Sequence, residues 1–252
     1  MVGLYFSGTG NSKYCLERFL QEFEESAMFS IEDDKAIEQI KSHTQIIIAY
    51  PVQYSNIPKI LRDFIMEHSD LWKGKDIFII ATMGLFSGDG AGLLARLLKK
   101  QGAHCIGGLH VKMPDSIADE KALKRSSKKN KSLILAAEKK VVQAAHDFQN
   151  GRPTQDGIGF LSHLAGLFGQ RLYFYTLTQH YSSKLKINSS QCIGCGRCVQ
   201  LCPMKNIELD HAKAIAKDQC TMCYRCINQC PMQAITLLGK KVVTQYDIHH
   251  YL

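Results

Sequence analysis

The sequence contains no long uninterrupted apolar run and no basic-then-apolar stretch at its beginning. Its richest apolar window, Ile158 to Leu177, is interrupted by His163, Gln170 and Arg171, whereas a transmembrane helix needs about 18 to 20 apolar residues in succession. The opening residues MVGLYFSGTG also lack the features of a secretory leader. We therefore expect no transmembrane span and a cytoplasmic, reducing location.

Length and composition exclude two further classes, a disordered chain and a large multidomain assembly. Of the 252 residues, 45% are hydrophobic and 21% are charged, which is enough apolar material for a sizeable core. The length fits one full domain followed by a smaller module.

The first 114 residues alternate short β-branched or aromatic runs with longer stretches of helical periodicity. This alternation is typical of βαβ units, which form a parallel sheet. A long polar stretch with one apolar face, residues 119–150, predicts a last helix that covers the sheet. The predicted strands are residues 3–7, 27–31, 45–52, 76–83 and 103–111, and the predicted helices between them are residues 13–23, 33–42, 57–68 and 89–101.

Glycine and proline between residues 151 and 159 indicate a boundary after the predicted sheet. The amphipathic segment Ile158 to Tyr181 then predicts a connecting helix, which either packs between two domains or binds a membrane surface or partner. We expect a first domain over residues 1–150, a helical linker over residues 151–188, and a second domain with a C-terminal tail over residues 189–252.

Eight of the ten cysteines lie between residues 192 and 230. The sequence repeats itself there, because QCIGCGRCVQLCPM at residues 191–204 is followed by QCTMCYRCINQCPM at residues 219–232. Each half has the spacing C-x2-C-x2-C-x3-C-P, with which bacterial proteins ligate cubane iron-sulfur clusters. The repeat therefore predicts two [4Fe-4S] clusters.

The spacing also predicts which cysteines share a cluster. Three closely spaced cysteines wrap one cluster, while the fourth is turned towards the facing half of the repeat. This assigns one cluster to Cys192, Cys195, Cys198 and Cys230, and the other cluster to Cys202, Cys220, Cys223 and Cys226.

Two alternatives to iron-sulfur ligation are a pair of structural zinc sites and a disulfide framework. Zinc sites usually combine paired C-x2-C knuckles with a long loop, and no proline follows a fourth cysteine. Disulfides belong to oxidising compartments. Both alternatives fit the tandem spacing less well than two clusters do.

The formal net charge of +8 raises the question of a nucleic-acid partner. That count treats every cysteine as neutral, and two oxidised clusters with their thiolates would lower it by about four units. We therefore expect no nucleic-acid partner.

The first predicted strand runs directly into a Ser/Thr/Gly-rich loop and a helix. Free amides in such a loop, together with the helix N-terminus, attract a phosphate. The loop lacks the Gly-Lys-Ser/Thr ending of ATP sites, and Lys13 stands where the dinucleotide fingerprint needs its third glycine. The loop is therefore either another kind of phosphate site or a turn that caps the helix. The candidate phosphate residues are Ser7, Gly8, Thr9, Gly10, Asn11 and Ser12.

This loop resembles the FMN-phosphate loop of flavodoxins, and the cysteine repeat is similar to bacterial two-cluster ferredoxins. The loop precedes the cysteine repeat along the chain, and this order resembles that of flavodoxin-ferredoxin fusions of anaerobic bacteria, sometimes called ferrodoxins. The resemblance implies a flavodoxin-like α/β domain with a doubly wound, five-stranded parallel sheet of order 2-1-3-4-5. It further implies a smaller α+β two-cluster ferredoxin domain, with FMN as the cofactor of the first domain.

In flavodoxins the loops after the third and fourth strands hold the flavin ring. Tyr54 and Phe86 are candidates for stacking on that ring, although either aromatic side chain could simply pack its loop. The first loop departs from the family, because it contains no glycine, and a glycine there supports one-electron flavin chemistry. The matching residues are Pro51, Val52, Tyr54, Ser55 and Asn56 in the first loop and Thr82, Met83, Gly84 and Phe86 in the second.

Both resemblances imply electron transfer between FMN, the clusters and redox partner proteins. An alternative is an FMN- and cluster-dependent reductase of a small organic substrate, for which no acid or substrate-binding pattern is recognisable. A cluster-based regulator would need a DNA-binding or signalling module, and none is recognisable either. The basic run from Lys121 to Lys140 is either a solvated helix face or a docking patch for an acidic redox partner.

Overall fold

The computed structural model describes residues 1–86, 88–122, 124–166, 168 and 180–252. Five parallel strands form one sheet in the order β2-β1-β3-β4-β5, which confirms the doubly wound topology expected from the sequence. Each strand ends within two residues of its predicted bounds. The strands are β1 (Val2–Tyr5), β2 (Ala27–Ser30), β3 (Gln45–Pro51), β4 (Asp76–Met83) and β5 (His104–Lys112).

Helices cover both faces of this sheet. The central strand β3 is buried on both sides: Ile46 and Ile48 face one apolar core, and Ile47 and Ala49 face the other. Burial on both faces explains why this strand is a continuous apolar run. The first core includes helices α2 (Lys35–Ser42), α3 (Lys59–Glu67) and α4 (Gly90–Lys100), and the second includes α1 (Asn11–Leu20) and α5 (Ser127–Gln149).

Helix α5 is the longest of these helices, with 23 residues. It begins at Ser127, later than the polar stretch from residue 119, and the hydroxyl of the preceding Ser126 accepts a hydrogen bond from the N–H of Lys129 at 3.3 Å. No helix in the described ranges combines the length and the apolar character that crossing a membrane requires.

After α5 the chain returns to the outer edge of the sheet. The N–H of Gly108 donates to the carbonyl of Thr154, and the N–H of Asp156 donates to the carbonyl of Gly108, each at 2.8 Å. A short helix α6 (Phe160–Gly166) follows. The remainder of the predicted connecting helix, residues 167 and 169–179, lies outside the described residues. We call residues 1–166 the sheet module.

Residues 180–252, the cysteine-rich module, contain two small antiparallel sheets and two short helices. Its core includes Ile207, Ile227 and Ile235, which are almost completely buried. Strand β6 (Lys186–Ile187) pairs with β9 (Ile235–Thr236), and β7 (Ile207–Asp210) pairs with β8 (Lys213–Ala216). The helices α7 (Arg197–Leu201) and α8 (Arg225–Gln229) each lie within one half of the cysteine repeat.

The end of the chain packs back onto the sheet module. Tyr246 and Ile248 are buried in the core that α1 and α5 share. The hydroxyl of Tyr251 accepts a hydrogen bond from the side-chain amide of Asn130 on α5 at 3.3 Å. The two modules are therefore joined by packing as well as by the covalent chain.

Candidate functional site

A cleft of about 230 Å³ lies at the carboxyl ends of strands β1, β3, β4 and β5. Parallel strands present their following loops at one sheet edge, so residues far apart in the sequence meet there. The predicted flavin residues that line the cleft are Ser7, Gly8, Thr9, Asn11, Ser12, Pro51, Val52, Tyr54, Ser55, Thr82, Met83, Gly84 and Phe86.

Gly10 and Asn56 are the two predicted flavin residues that do not line the cleft. Gly10 precedes α1 with a φ of 92°, and a side chain there would meet Ile248 of the C-terminal tail. Asn56 closes a turn, since its N–H donates to the carbonyl of Gln53 at 2.8 Å. Its side-chain amide donates to the carbonyl of Tyr54 at 3.3 Å, so this amide supports the loop.

The loop at residues 7–12 keeps several backbone donors available. In the part of the chain that the structure describes, the N–H groups of Gly8, Thr9 and Gly10 donate to no acceptor. Free amides beside the start of a helix are suited to binding a phosphate. The hydroxyls of Ser12 and Thr82 share a hydrogen bond of 2.7 Å, which connects this loop to the one after β4.

The loop after β3 adopts a conformation that usually requires glycine. Tyr54 and Ser55 have φ values of 50° and 57°, in the left-handed region, at a cost of about 1–2 kcal/mol per residue. Such strain is concentrated at ligand-binding sites. Burial raises the pKa of Tyr54, and nearby Glu120 and Asp115 raise it further, so its hydroxyl stays protonated. The second stacking candidate, Phe86, is 55% exposed at the cleft.

Sequence reasoning missed Gln53, although it lies in a predicted flavin loop. The side-chain amide of Gln53 donates to the carbonyls of Thr221 and Met222 at 3.0 and 2.9 Å. Its side-chain oxygen is buried, has no hydrogen-bond partner among the described residues, and belongs to a residue that lines the cleft. A buried acceptor without a partner is destabilising unless a ligand or water donates to it. This oxygen therefore fits a cleft that holds a ligand with N–H groups.

Two other parts of the cleft lining were also missed. The loop after β5, residues 113–117, could have been found because it follows a strand of the same sheet edge. Met222, Cys223 and Tyr224 of the cysteine-rich module line the cleft as well. No local sequence signal connects them to the sheet module, because the contact is between distant parts of the chain.

The cysteine-rich module contains two small, mostly apolar cavities. Each brings three cysteines of one half of the repeat to the fourth cysteine of the other half. We call them the first and second cysteine cavities. The first is lined by Cys192, Cys195, Cys198 and Cys230, and the second by Cys202, Cys220, Cys223 and Cys226.

Backbone amides are directed at the sulfur atoms of these cavities. The N–H of Ala214 donates to Cys192 Sγ at 3.4 Å, and the N–H of Met222 donates to Cys220 Sγ at 3.3 Å. The hydrogen bond from Ala214 lowers the pKa of Cys192, whereas burial raises the pKa of Cys220 to about 12. A buried thiol of this kind becomes a thiolate when it coordinates metal.

This donor set fits an iron-sulfur cluster. Four cysteine sulfurs, amide donors to sulfur and an apolar lining are the features by which proteins hold such clusters and adjust their potentials. In the described ranges, no three His, Cys, Asp or Glu side chains are arranged to hold a single metal ion.

The cleft and the second cysteine cavity share part of their lining. Cys223 and Tyr224 line both spaces. The backbone of the two modules meets at the same place, because a Cβ on Gly8 would overlap the carbonyl oxygen of Cys223. Only glycine allows this approach. The second cysteine cavity therefore directly adjoins the cleft.

A buried carboxylate joins the modules beside this contact. Asp119, which is 4% exposed, accepts a hydrogen bond from the Tyr224 hydroxyl at 2.8 Å. It also accepts from the N–H groups of Leu237, Leu238 and Gly239 at 2.6, 3.0 and 3.1 Å. Four donors satisfy the carboxylate, so this buried charge is fully hydrogen-bonded.

Comparison with known families identifies a domain in each module. Residues 3–132, more than half of the chain, match the family described as flavodoxin domain. This chain belongs to the flavodoxin family. Residues 185–237 match the family described as 4Fe-4S dicluster domain, so the chain is a flavodoxin-ferredoxin fusion. The two domains make it an electron-transfer flavin and iron-sulfur protein.

Several solved structures are similar to part of this fusion. A two-electron reduced flavodoxin from Megasphaera elsdenii is 20% identical, with 57% of this chain and 98% of that chain covered and a TM-score of 0.43. Oxidised flavodoxin 2 from Bacillus cereus is 16% identical, with 59% and 97% covered and a TM-score of 0.42. The Trp repressor binding protein from Bacillus subtilis is 17% identical, with 58% and 96% covered and a TM-score of 0.43. No curated protein matches the sequence.

Proposed function

We propose that the fusion relays electrons between FMN in the cleft, a [4Fe-4S] cluster in each cysteine cavity, and external redox partner proteins. The observation that carries this proposal is the shared lining of the cleft and the second cysteine cavity by Cys223 and Tyr224. A flavin supplies a two-electron store, and the clusters supply one-electron carriers.

In this proposal the sheet module binds FMN through three loops. The loop at residues 7–12 binds the phosphate with its free amides, and the loops at residues 51–55 and 82–86 hold the ring. Tyr54 and Phe86 lie against the ring, and the buried Gln53 side-chain oxygen accepts a hydrogen bond from it. We assign the eight cysteines of the two cavities as the cluster ligands.

One of the two cysteine cavities adjoins the cleft and the other does not. This difference suggests the order in which electrons pass between the three sites. The second cavity shares its lining with the cleft. The first cavity reaches the surface, where Cys195 is exposed and Ile193 is 60% exposed. We propose that external partners exchange electrons at the first cavity and that the second cavity connects it to FMN.

One observation favours the reductase alternative. Asp115 lines the cleft, and burial raises the pKa of its carboxyl group, although Lys124 at 3.7 Å lowers it in part. A carboxylic acid with a raised pKa is a candidate proton donor. Against this alternative, Met222 and Tyr224 of the cysteine-rich module occupy part of the cleft lining, which leaves less of the cleft to a substrate.

Composition analysis after anaerobic purification tests the cofactors. We expect about eight iron atoms and eight sulfides per chain, together with one FMN. Stoichiometric zinc without iron would overturn the cluster assignment. Replacing Thr9 and Ser12 together by Ala should weaken FMN binding, and unchanged affinity would mean that the loop is only a helix cap.

Anaerobic stopped-flow measurements test the relay. When a chemical reductant reduces the clusters, flavin reduction should follow at a rate that does not depend on protein concentration, because both cofactors belong to one chain. A rate proportional to protein concentration would mean transfer between molecules. Turnover of small organic acceptors that Asp115→Asn abolishes would favour the reductase instead.

A further inference from the structure

The cysteine-rich module contacts the loop at residues 7–12 along most of its length. Arg225 donates to the carbonyl of Ser7 at 2.9 Å, and Ile248 donates its N–H to the carbonyl of Thr9 at 3.2 Å. The hydroxyl of Tyr246 donates to Asn11 Oδ1 at 2.7 Å. Three contacts from the second module therefore hold three positions of the loop.

These contacts determine where the loop amides point. In a trans peptide the C=O and the following N–H point in opposite directions. Because the carbonyls of Ser7 and Thr9 are bonded to the cysteine-rich module, the N–H groups of Gly8 and Gly10 point away from those partners. Both N–H groups lack an acceptor in the described residues, as a phosphate-binding loop requires.

Arg225 is itself firmly positioned. Its two terminal nitrogens donate to the two carboxylate oxygens of Glu32 at 2.9 and 2.7 Å, in a bidentate pair. Glu32 follows strand β2 in the sheet module. The guanidinium therefore joins Glu32 and the Ser7 carbonyl, which a lysine with a single ammonium group reproduces poorly.

We infer that the cysteine-rich module holds the loop at residues 7–12 in its phosphate-binding conformation, with Arg225 and Tyr246 as positioning residues. The flavin site is thus completed by the second module, and FMN binding depends on that module being folded. This inference rests on the proposed function, since it presumes that the loop binds FMN.

Folding of the cysteine-rich module should in turn depend on its clusters. Its core is small, and the cysteine cavities lie within it. Small domains of this kind fold with their metal, so removal of iron loosens them. Because coupling between two sites is reciprocal, loss of the clusters should weaken FMN binding, and bound FMN should slow loss of the clusters.

The repeat provides a matched control for Arg225. Arg197 occupies the equivalent position in the first half, between the second and third cysteines. Its guanidinium donates to Gln229 at 2.7 Å, within the cysteine-rich module. Arg197→Met therefore removes an arginine beside a cluster and leaves the contacts to the sheet module intact.

The experiment is an anaerobic titration of the full chain with FMN and with riboflavin, followed by flavin fluorescence. For FMN, Arg225→Met should raise the Kd at least about tenfold, whereas Arg197→Met should leave it unchanged. Arg225→Lys should recover only part of the affinity. Riboflavin lacks the phosphate, so its Kd should be the same in all these variants.

Tyr246→Phe is a second variant, which removes one hydroxyl and should raise the Kd for FMN by about three- to tenfold without changing the iron content. It keeps the inference testable if Arg225→Met folds poorly. Wild-type protein stripped of iron by a chelator should also bind FMN more weakly than the loaded protein.

Unchanged FMN affinity in Arg225→Met and Tyr246→Phe, with full iron content, would overturn the inference. Equal weakening of FMN and riboflavin would overturn it too, because the effect would then not concern the phosphate. Wild-type protein that binds no FMN at all would overturn the proposed function itself.

Discussion

The two halves of the cysteine repeat have the same cysteine spacing but different residues between the cysteines. Gly194 and Gly196 in the first half correspond to Met222 and Tyr224 in the second. All four have left-handed backbone, with φ values of 70°, 73°, 53° and 61° respectively. Glycine adopts this conformation freely, whereas Met and Tyr do so at a cost of about 1–2 kcal/mol each.

The strained pair is the one at the junction of the modules. Met222 and Tyr224 are 5% and 3% exposed, and both line the cleft. The glycines lie beside the exposed Cys195 instead. The same cysteine pattern thus produces one cavity at the surface and one at an interface, and the half with Met and Tyr between its cysteines is the one at the interface. Backbone strain of this size is commonly found at functional sites.

The largest expected effect is loss of one cluster at a time. Cys202→Ser should lose the cluster beside the cleft, and Cys230→Ser should lose the cluster in the exposed first cavity. Each variant should therefore contain about half of the wild-type iron. Intramolecular electron transfer to the flavin should then fail in Cys202→Ser. Alkylation mapped by mass spectrometry should label Cys220, Cys223 and Cys226 in that variant. Labelling of Cys192, Cys195 and Cys198 instead would contradict the crossed assignment.

The glycines of the first half should differ in their tolerance of a side chain. A Cβ on Gly194 would overlap the carbonyl of Ala212, whereas a Cβ on Gly196 would have Leu209 Cδ1 as its nearest neighbour at 3.7 Å. Gly196→Ala should cost about 1–2 kcal/mol from backbone strain alone, and Gly194→Ala about 1–3 kcal/mol more. The temperature at which half of the cluster absorbance is lost measures the stability of each variant. Equal temperatures for Gly194→Ala and Gly196→Ala would contradict this prediction.

Making the second half resemble the first should separate cluster binding from flavin binding. The double variant Met222→Gly/Tyr224→Gly keeps all ligands and relieves the left-handed strain, so iron content should stay unchanged. It removes two side chains from the cleft lining, and FMN affinity should fall by about tenfold. Fluorescence titration measures the affinity. An unchanged Kd would mean that these side chains do not touch the flavin.

The smallest expected effect comes from one hydroxyl. Tyr224→Phe keeps the aromatic ring but removes the hydrogen bond to Asp119, which retains its three backbone donors. The expected loss of stability is about 1 kcal/mol, with FMN affinity nearly unchanged. Thermal unfolding under anaerobic conditions gives the first quantity. A loss of stability as large as that expected for Gly194→Ala would contradict this prediction, because the hydrogen bond to Asp119 would then contribute more to stability than a single neutral donor should.

Local sequence patterns determined the positions of the strands and helices and the grouping of the cysteines along the chain. Strand β3 was predictable because a strand buried on both faces must be a continuous apolar run, and α1 because its apolar residues recur every three or four positions. The cysteine spacing predicts cluster chemistry because three of the four cysteines assigned to each cluster lie within a few residues of each other, and a fourth follows at a fixed interval in each half. The loop at residues 7–12 was recognisable as a candidate phosphate site because such a loop and the helix behind it are adjacent in sequence.

Only the tertiary structure decided how the two modules combine. Gln53 meets Met222, Arg225 meets Ser7, and Tyr246 meets Asn11, across 169, 218 and 235 residues of sequence. Packing at such separations depends on the geometry of both surfaces and has no periodicity or spacing that a single sequence displays. The cysteine repeat therefore predicts two equivalent clusters and does not distinguish between them. Which half lies beside the cleft was decided by the contacts that bury Met222 and Tyr224 against the sheet module.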